Sequence, residues 1–586
     1  MREGGIMTQL ETLRNILSDE DRARLEKIYE PTITGVQPED SRRSLVVMPD
    51  GEIRSYGVAD KRSVFADGRR VYISSRSCGL DWKFHYAVSD TVLGAASYLP
   101  WSGRWVTVDF SRKEGSRGTF ALISETGPDD TAPRRVDISD EIFIDMFQPT
   151  IFEDERRIIC CGHTHRDGWD IPTVMYSDDD GENWTLVPLK SVPKHEAVFP
   201  HLGVRWQNTG TEATFTRLDG KRLMMLVRTS LDYLYVYYSD DLGETWTDGE
   251  PSGFHCTLTT PYLLRLSDGR TVLFWNNTRP LAERNHENEW PPVSAGCKAG
   301  NGEDVFTNRD ACHVAISDDC KEWIGFRELG LNVIRNAPDF RVNGGNLSSA
   351  DKSVHQFQAI ELPGGKILVE YGQHEASRRI VIFDVNWLYE KSRTEDWQNG
   401  MKNVSTHLFV KSISDCHLDT GFGGHCAWNR IEGALLVPDP DVTFGEALQI
   451  CRVKDERLVS DRQGMVWNFP KALRGEILLD MRVEGSGVKI RLCDHWMNPS
   501  DEYAGLYAAY DFELDRRTLG RGRWLKVRIT FDCLTGDGEV SCDGVRLFGI
   551  KKKLDTPDGI SYLHVQTMAE DTDYAGTLIR RMEYRS

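Results

Sequence analysis

The stretch YSDDDGENW (Tyr176 to Trp184) returns 62 residues later as YSDDLGETW (Tyr238 to Trp246). A pattern S-x-D-x-G-x-x-W kept at this separation marks a repeated structural unit, and repetition constrains a fold more than composition does. The residue types suit a tight turn. Ser and Asp side chains accept from nearby backbone N–H groups, Gly takes a positive φ, and the Trp packs beneath the hairpin. SRSCGLDW (Ser75 to Trp82) is a degenerate copy with Ser77 in the aspartate position. SDDCKEW (Ser317 to Trp323) is another, one residue short and lacking the glycine. β-rich runs precede the copies: TVMY, YVYY and CHVAI.

A second repeat runs out of phase with the first. RSLVVMPDGEIRSY, QPTIFEDERRIICCG, EATFTRLDGKRLMMLVR, PYLLRLSDGRTVLFW, FQAIELPGGKILVEY and CAWNRIEGALLVP each read as two strands joined by a short turn, usually Asp-Gly or Gly-Gly. The first four are followed by a serine–aspartate hairpin. Two hairpins make a four-stranded sheet, and six such sheets around an axis make an all-β, six-bladed β-propeller. DVNWLYEKS alone reads as a short helical interruption.

At 586 residues the chain exceeds one ordinary core. Residues 1–35 read as a short N-terminal segment of one or two amphipathic helices, 36–438 as the propeller, and 439–586 as a β-sandwich of lectin-like type. PDPDVTFGE is expected to be the linker. The sandwich serves either as a glycan-binding accessory or only as a cover that steadies the propeller.

A net charge of −19, with no basic run interleaved with aromatics, argues against nucleic acid and anionic membranes as partners. No stretch is long and apolar enough to span a bilayer as a helix. The charged N-terminal run lacks the apolar centre of a signal peptide. The 13 cysteines are odd in number and irregularly spaced, which suits a reduced interior, so a cytoplasmic location is expected. Oligomeric state is left open.

The repeated box followed through to the hairpins resembles the sialidase (neuraminidase) superfamily, whose Asp-box (BNR) repeats have this pattern, over roughly residues 40–390. The resemblance implies that Asp179 and Asp241 are structural, because the family's boxes lie away from its active site. It also implies a clamp of three arginines on a substrate carboxylate, a use suited to planar, permanently charged guanidinium groups. By family position these are Arg43 (or Arg42, by one residue of slip) before the first hairpin, Arg228 and Arg309. Arg228 closes the third hairpin, 16 residues after Glu212, and Arg309 stands eight before the box serine Ser317. The family acid/base falls on Asp67, with Asp60-Lys61-Arg62 as the D-x-R triplet ahead of it. The bland reading of Ala66-Asp67-Gly68 is a turn.

One position departs from the family pattern. Where the resemblance places a nucleophilic tyrosine partnered by the glutamate, this chain has Gln356 beside His355, and no tyrosine follows until Tyr371. Glutamine cannot form a covalent glycosyl intermediate. Histidines are well supplied instead. His163 and His165 in CCGHTHRDGW share one face of a strand, and His201, His255, His355, His374 and His425 lie near other hairpin ends. The H-x-H pair suits proton transfer near neutral pH. It lacks a third ligand at recognisable spacing, so no metal and no cofactor are expected.

The leading expectation is an exo-acting glycoside hydrolase of sialidase type. It would cleave a terminal sialic, other ulosonic or uronic acid from an acidic oligosaccharide or glycoside. One alternative is a His-based, uronate-directed lyase or rhamnosidase-like hydrolase. Another is a non-catalytic glycan-binding propeller.

Overall fold

The computed structural model describes residues 8–39, 41, 44–58, 70–88, 95–145, 147–196, 207–256, 258–279, 309, 311–330, 354–372, 377–413, 428–458 and 460–586. The architecture is all-β: a six-bladed β-propeller followed by a β-sandwich. Among the described residues, six antiparallel sheets form the blades: four are built on four consecutive strands, one has five strands, and one is completed by an N-terminal strand. Blade I holds Leu45–Val47, Ile53–Val58, Arg70–Ser75 and Lys83–Tyr86. Blade II holds Ser97–Leu99, Arg104–Ser111, Gly118–Ser124 and Arg134–Ser139. In blade III, Ile144–Asp145 and Thr150–Phe152 both pair with Arg157–Arg166, and Trp169–Ser177 and Thr185–Pro188 follow. Blade IV is Thr211–Asp219, Arg222–Arg228, Tyr233–Ser239 and Glu250–His255. Blade V is Tyr262–Arg265, Thr271–Trp275, Cys312–Ser317 and Ile324–Gly330. Blade VI combines Gln358–Leu362, Lys366–Tyr371 and Arg379–Asp384 with Thr32–Gly35, which pairs with Arg379–Asp384 and closes the ring.

The boxes behave as their chemistry predicts. The Ser177 hydroxyl donates to Asp179 at 2.9 Å and accepts from the Gly181 N–H at 3.0 Å, while Asp179 accepts from the Asn183 N–H at 2.8 Å. Ser239, Gly243, Asp241 and Thr245 repeat the arrangement. Gly243 sits at φ 89°, and a Cβ there would lie 2.9 Å from Ile159 of blade III. Each box tryptophan reaches across to the preceding blade. Trp184 packs with Leu99, Val106 and Ile123, and Trp246 joins the cluster holding Phe152 and Ile159. In the degenerate copies Ser75 accepts from the Gly79 N–H, while Cys320 takes φ 57° where the glycine is missing.

The blade-by-blade reading needs two corrections. Blade II is absent from the predicted hairpins: its central strands join through Arg112–Arg117 with no Asp-Gly turn, and no tryptophan box follows. The predicted sixth hairpin, CAWNRIEGALLVP, does not form. Trp428–Ile431 pairs with Leu408–Ile413, whereas Leu435–Pro438 pairs with Glu446–Arg452.

That second pairing places PDPDVTFGE in a sandwich hairpin loop, where the Asp439 N–H donates to the Gly445 carbonyl at 2.9 Å. The sandwich also draws strands from before the expected 438–439 boundary. Ser392–Glu395 pairs with Asp573–Arg585, and Val404–Ser405 pairs with Gly464–Ala472. Its two sheets enclose a core around Trp467, Ile477, Leu492, Val527, Val565 and Ile579. It docks on blade V through Trp496, Tyr562 and Met497, which cluster with Ala311. The Trp496 N–H donates to the Asn277 carbonyl, and Asn468 bonds both Phe326 and Glu328.

Helices Gln9–Ile16 and Asp19–Glu26 lie in the expected N-terminal segment, but Thr32–Gly35, also assigned to that segment from sequence, is a strand of blade VI. Thr8 and Glu11 form a reciprocal capping box on the first helix, and Leu13 packs into blades I and VI. This helix lies at one end of an axial cavity of about 500 Å³, lined by the first strands of blades I and III–VI. DVNWLYEKS contains a 3₁₀ turn, Val385–Tyr389, with Asp384 as its cap.

Candidate active site

In blades IV, V and VI the start of the first strand and the end of the second meet at one rim, while the turns between them lie at the other. Glu212 and Arg228 occupy the first rim of blade IV. Thr211 pairs with Arg228, and the register then slips before Thr214 pairs with Leu226. This bulge coincides with φ 46° at Glu212. A bulge re-aims the side chain it carries. Here it turns Glu212 onto the end of the neighbouring strand, so that Arg228 Nη1 donates to Glu212 Oε2 at 2.5 Å. Leu258 (φ 54°) and Gln356 (φ 64°) stand near the starts of blades V and VI in the same uncommon conformation. Left-handed non-glycine residues cost on the order of 1–3 kcal/mol each and cluster at functional sites.

The Glu212 side chain keeps 17% of its surface exposed, against 5% for Arg228. Burial opposes its charge, but Arg228, a hydrogen bond donated by the Thr260 hydroxyl and the field of Arg309 outweigh that cost. Together they hold the carboxyl at about 2. Glu212 is therefore ionised at neutral pH and acts as an acceptor and a fixed negative charge, not as a proton donor.

Arg309 is fully buried and donates to the Leu258 carbonyl, with Nη1 3.5 Å from His355 Nε2. His355 is itself buried, and its carbonyl accepts from the Gly372 N–H. Gln356 is half-buried beside it. The hydrogen-bond partners of the Glu212 carboxylate among the described residues are Arg228 and Thr260, so no tyrosine hydroxyl reaches it there.

His163 faces the same group from blade III. Burial pushes its pKa below the ordinary imidazole value, Asp170 and Glu212 pull it back, and Arg228 and His165 add to the depression. Its Nδ1 is buried with no hydrogen-bond partner among the described residues. His165, two residues along the strand, is exposed and pairs with Asp170 at 3.2 Å. The H-x-H pair thus splits into a neutral inner ring and a solvent-facing one.

Of the residues expected from sequence, Glu212, Arg228, Arg309, His163, His355 and Gln356 lie at this rim. His165 lies outside the group, and Arg43 and Asp67 fall outside the described residues. Thr260 was not anticipated. A lone threonine 48 residues from Glu212 carries no motif, and only the meeting of blades IV and V reveals it. Asp170 was missed for a similar reason: it opposes His165 through strand register.

A BNR repeat-like domain model matches residues 100–329, a span that includes Glu212, Arg228 and Arg309. No curated protein matches the chain. Among solved structures, Trypanosoma rangeli sialidase in complex with sialic acid matches at 12% identity and a TM-score of 0.34, covering 96% of this chain and 95% of that one. NanB sialidase from Streptococcus pneumoniae matches at 11% identity, TM-score 0.37, with 64% and 73% covered. The intramolecular trans-sialidase from Ruminococcus gnavus matches at 12% identity, TM-score 0.34, with 61% and 98% covered.

Proposed function

We propose that the propeller is an exo-acting glycoside hydrolase that removes a terminal carboxylate-bearing sugar from an acidic oligosaccharide. The observation that carries this reading is the Glu212–Arg228 pair, set on a bulge at the rim with Arg309 in its field. In this reading Arg228 and Arg309 hold the sugar carboxylate, where exclusion of water strengthens a charge-assisted pair. Glu212 fixes Arg228 and stabilises positive charge developing at the anomeric carbon. Gln356 cannot serve as a covalent nucleophile, so in this reading water attacks the anomeric carbon with His163 taking its proton, while the glycosidic bond breaks and the leaving oxygen takes a proton from Asp67, the acid expected from sequence. We take the protein to be cytoplasmic, as the odd number and irregular spacing of its cysteines suggest. Imported oligosaccharides would then be the substrates.

A panel of aryl glycosides of sialic, other ulosonic and uronic acids tests the reading, with Arg228→Lys as the comparison. The expected result is release of the acidic sugar by the parent chain and a KM raised at least about tenfold in the variant, whose ammonium lacks the planar fork. Equal KM values would remove the clamp. The Nδ1 of His163, which has no hydrogen-bond partner among the described residues, favours a second reading, a uronate lyase with His163 as base. An ultraviolet-absorbing unsaturated product would establish that reading over hydrolysis.

A further inference from the structure

A second cluster of polar side chains lies where the propeller meets the sandwich, apart from the Glu212–Arg228 pair. His255 ends the outer strand of blade IV, and Asp494 and His495 follow the sandwich strand Gly487–Cys493. His255 Nε2 lies 3.0 Å from one Asp494 oxygen, and His495 Nδ1 contacts the other. The ring centroids of the two histidines are 4.4 Å apart. One potential ligand atom from each of the three residues lies within 4.8 Å of the others. We propose that His255, Asp494 and His495 form a site for a divalent transition-metal ion of the zinc class, bridging the two domains.

Three features support it. Two imidazoles and one carboxylate are the ligand set of open zinc sites, whereas magnesium and calcium prefer oxygen alone. Bond lengths of about 2.0–2.2 Å place tetrahedral ligands roughly 3.3 Å apart, so these side chains need shifts of ångström scale and no backbone rearrangement. His255 is 7% exposed and His495 1%, yet His255 Nδ1 and His495 Nε2 have no hydrogen-bond partner among the described residues. Buried orphan nitrogens in a native structure call for a partner, an ion being one. Among the described residues each ring is held through one nitrogen only.

The surroundings are built to hold the loop in place. The Asp494 carbonyl accepts from Asn277 Nδ2 at 2.8 Å and from the Ser561 hydroxyl at 3.1 Å, and Tyr233 stacks on His255. The nearby cation Arg279 pairs with Asp232 at 3.2 Å, which limits its repulsion of an incoming ion. The sequence offered no signal, because the ligands are 239 residues apart and belong to different domains.

The test is titration of the full-length, metal-stripped chain with Co²⁺, read by visible d–d absorption, beside the metal content of the protein after dialysis against Zn²⁺. The expected result is one ion per chain with tetrahedral cobalt bands. Asp494→Asn and His255→Gln should each weaken binding at least about tenfold, while Glu212→Gln leaves it unchanged. Absence of cobalt bands in the parent chain overturns the proposal, as does full binding in both junction variants. If a variant fails to fold by circular dichroism, the parent titration still decides.

Discussion

Asp179 and Glu212 are acids of the same propeller that differ in where their partners come from. The Asp179 carboxylate is satisfied by residues within four positions of itself, Ser177 and Asn183. Glu212 is satisfied by Arg228 and Thr260, 16 and 48 positions away, and senses Arg309, which stands ahead of the strand Cys312–Ser317. A locally satisfied acid can be read from a motif and does a local job, closing a turn. An acid whose partners arrive from two blades holds its charge only when the ring is assembled, which suits it to a site.

The largest test of this contrast is Arg228→Ala. Removing one partner of a buried pair leaves the other charge uncompensated, so unfolding free energy should fall by about 3–5 kcal/mol in chemical denaturation. The control is Arg217→Ala, which breaks the more exposed pair with Glu155 and should cost about 1 kcal/mol or less. Glu212→Gln comes next. Turnover of whichever acidic glycoside is cleaved should drop roughly 10²–10³-fold, the scale for losing one electrostatic group at a reacting centre.

Glu370 in blade VI gives a pH test. Burial pushes its carboxyl up to about 8, and a hydrogen bond from Ser55 offsets only part of that rise. The folded state therefore binds this proton more tightly than the unfolded chain. Its contribution to stability is full below about pH 4 and is lost progressively as pH rises through about 8. Thermal melts across pH 5–9 should show Glu370→Gln gaining on the parent chain as pH rises. The smallest effect belongs to the boxes: Asp179→Ala and Asp241→Ala should each cost about 1 kcal/mol and leave turnover unchanged. Loss of activity in either would erase the contrast.

What was legible in the sequence divides along the same line. Boxes and Asp-Gly hairpins announced blades I, III, IV and V because their determinants are local. Blade II, with neither signal, was invisible. CAWNRIEGALLVP was mistaken for a blade because a β-rich run does not reveal which strand it will pair with. The family resemblance, laid on the boxes and hairpins, pointed to Arg228, Glu212 and Arg309, and all three lie at one rim. It could not find Thr260, nor the opposition of His255 and Asp494, because both depend on how separate sheets pack.

The pairing of Thr32 with Ile382 has a consequence for how this molecule is made. The strand that completes the ring is synthesised about 350 residues before its partner. At roughly 5–20 residues per second, Thr32–Gly35 waits from about 20 to 70 seconds for an edge to join. During that interval its backbone donors and acceptors are open to any other strand. Blades I to V can collapse in order as they emerge, but the propeller stays an open arc until blade VI arrives, so its assembly ends where it began.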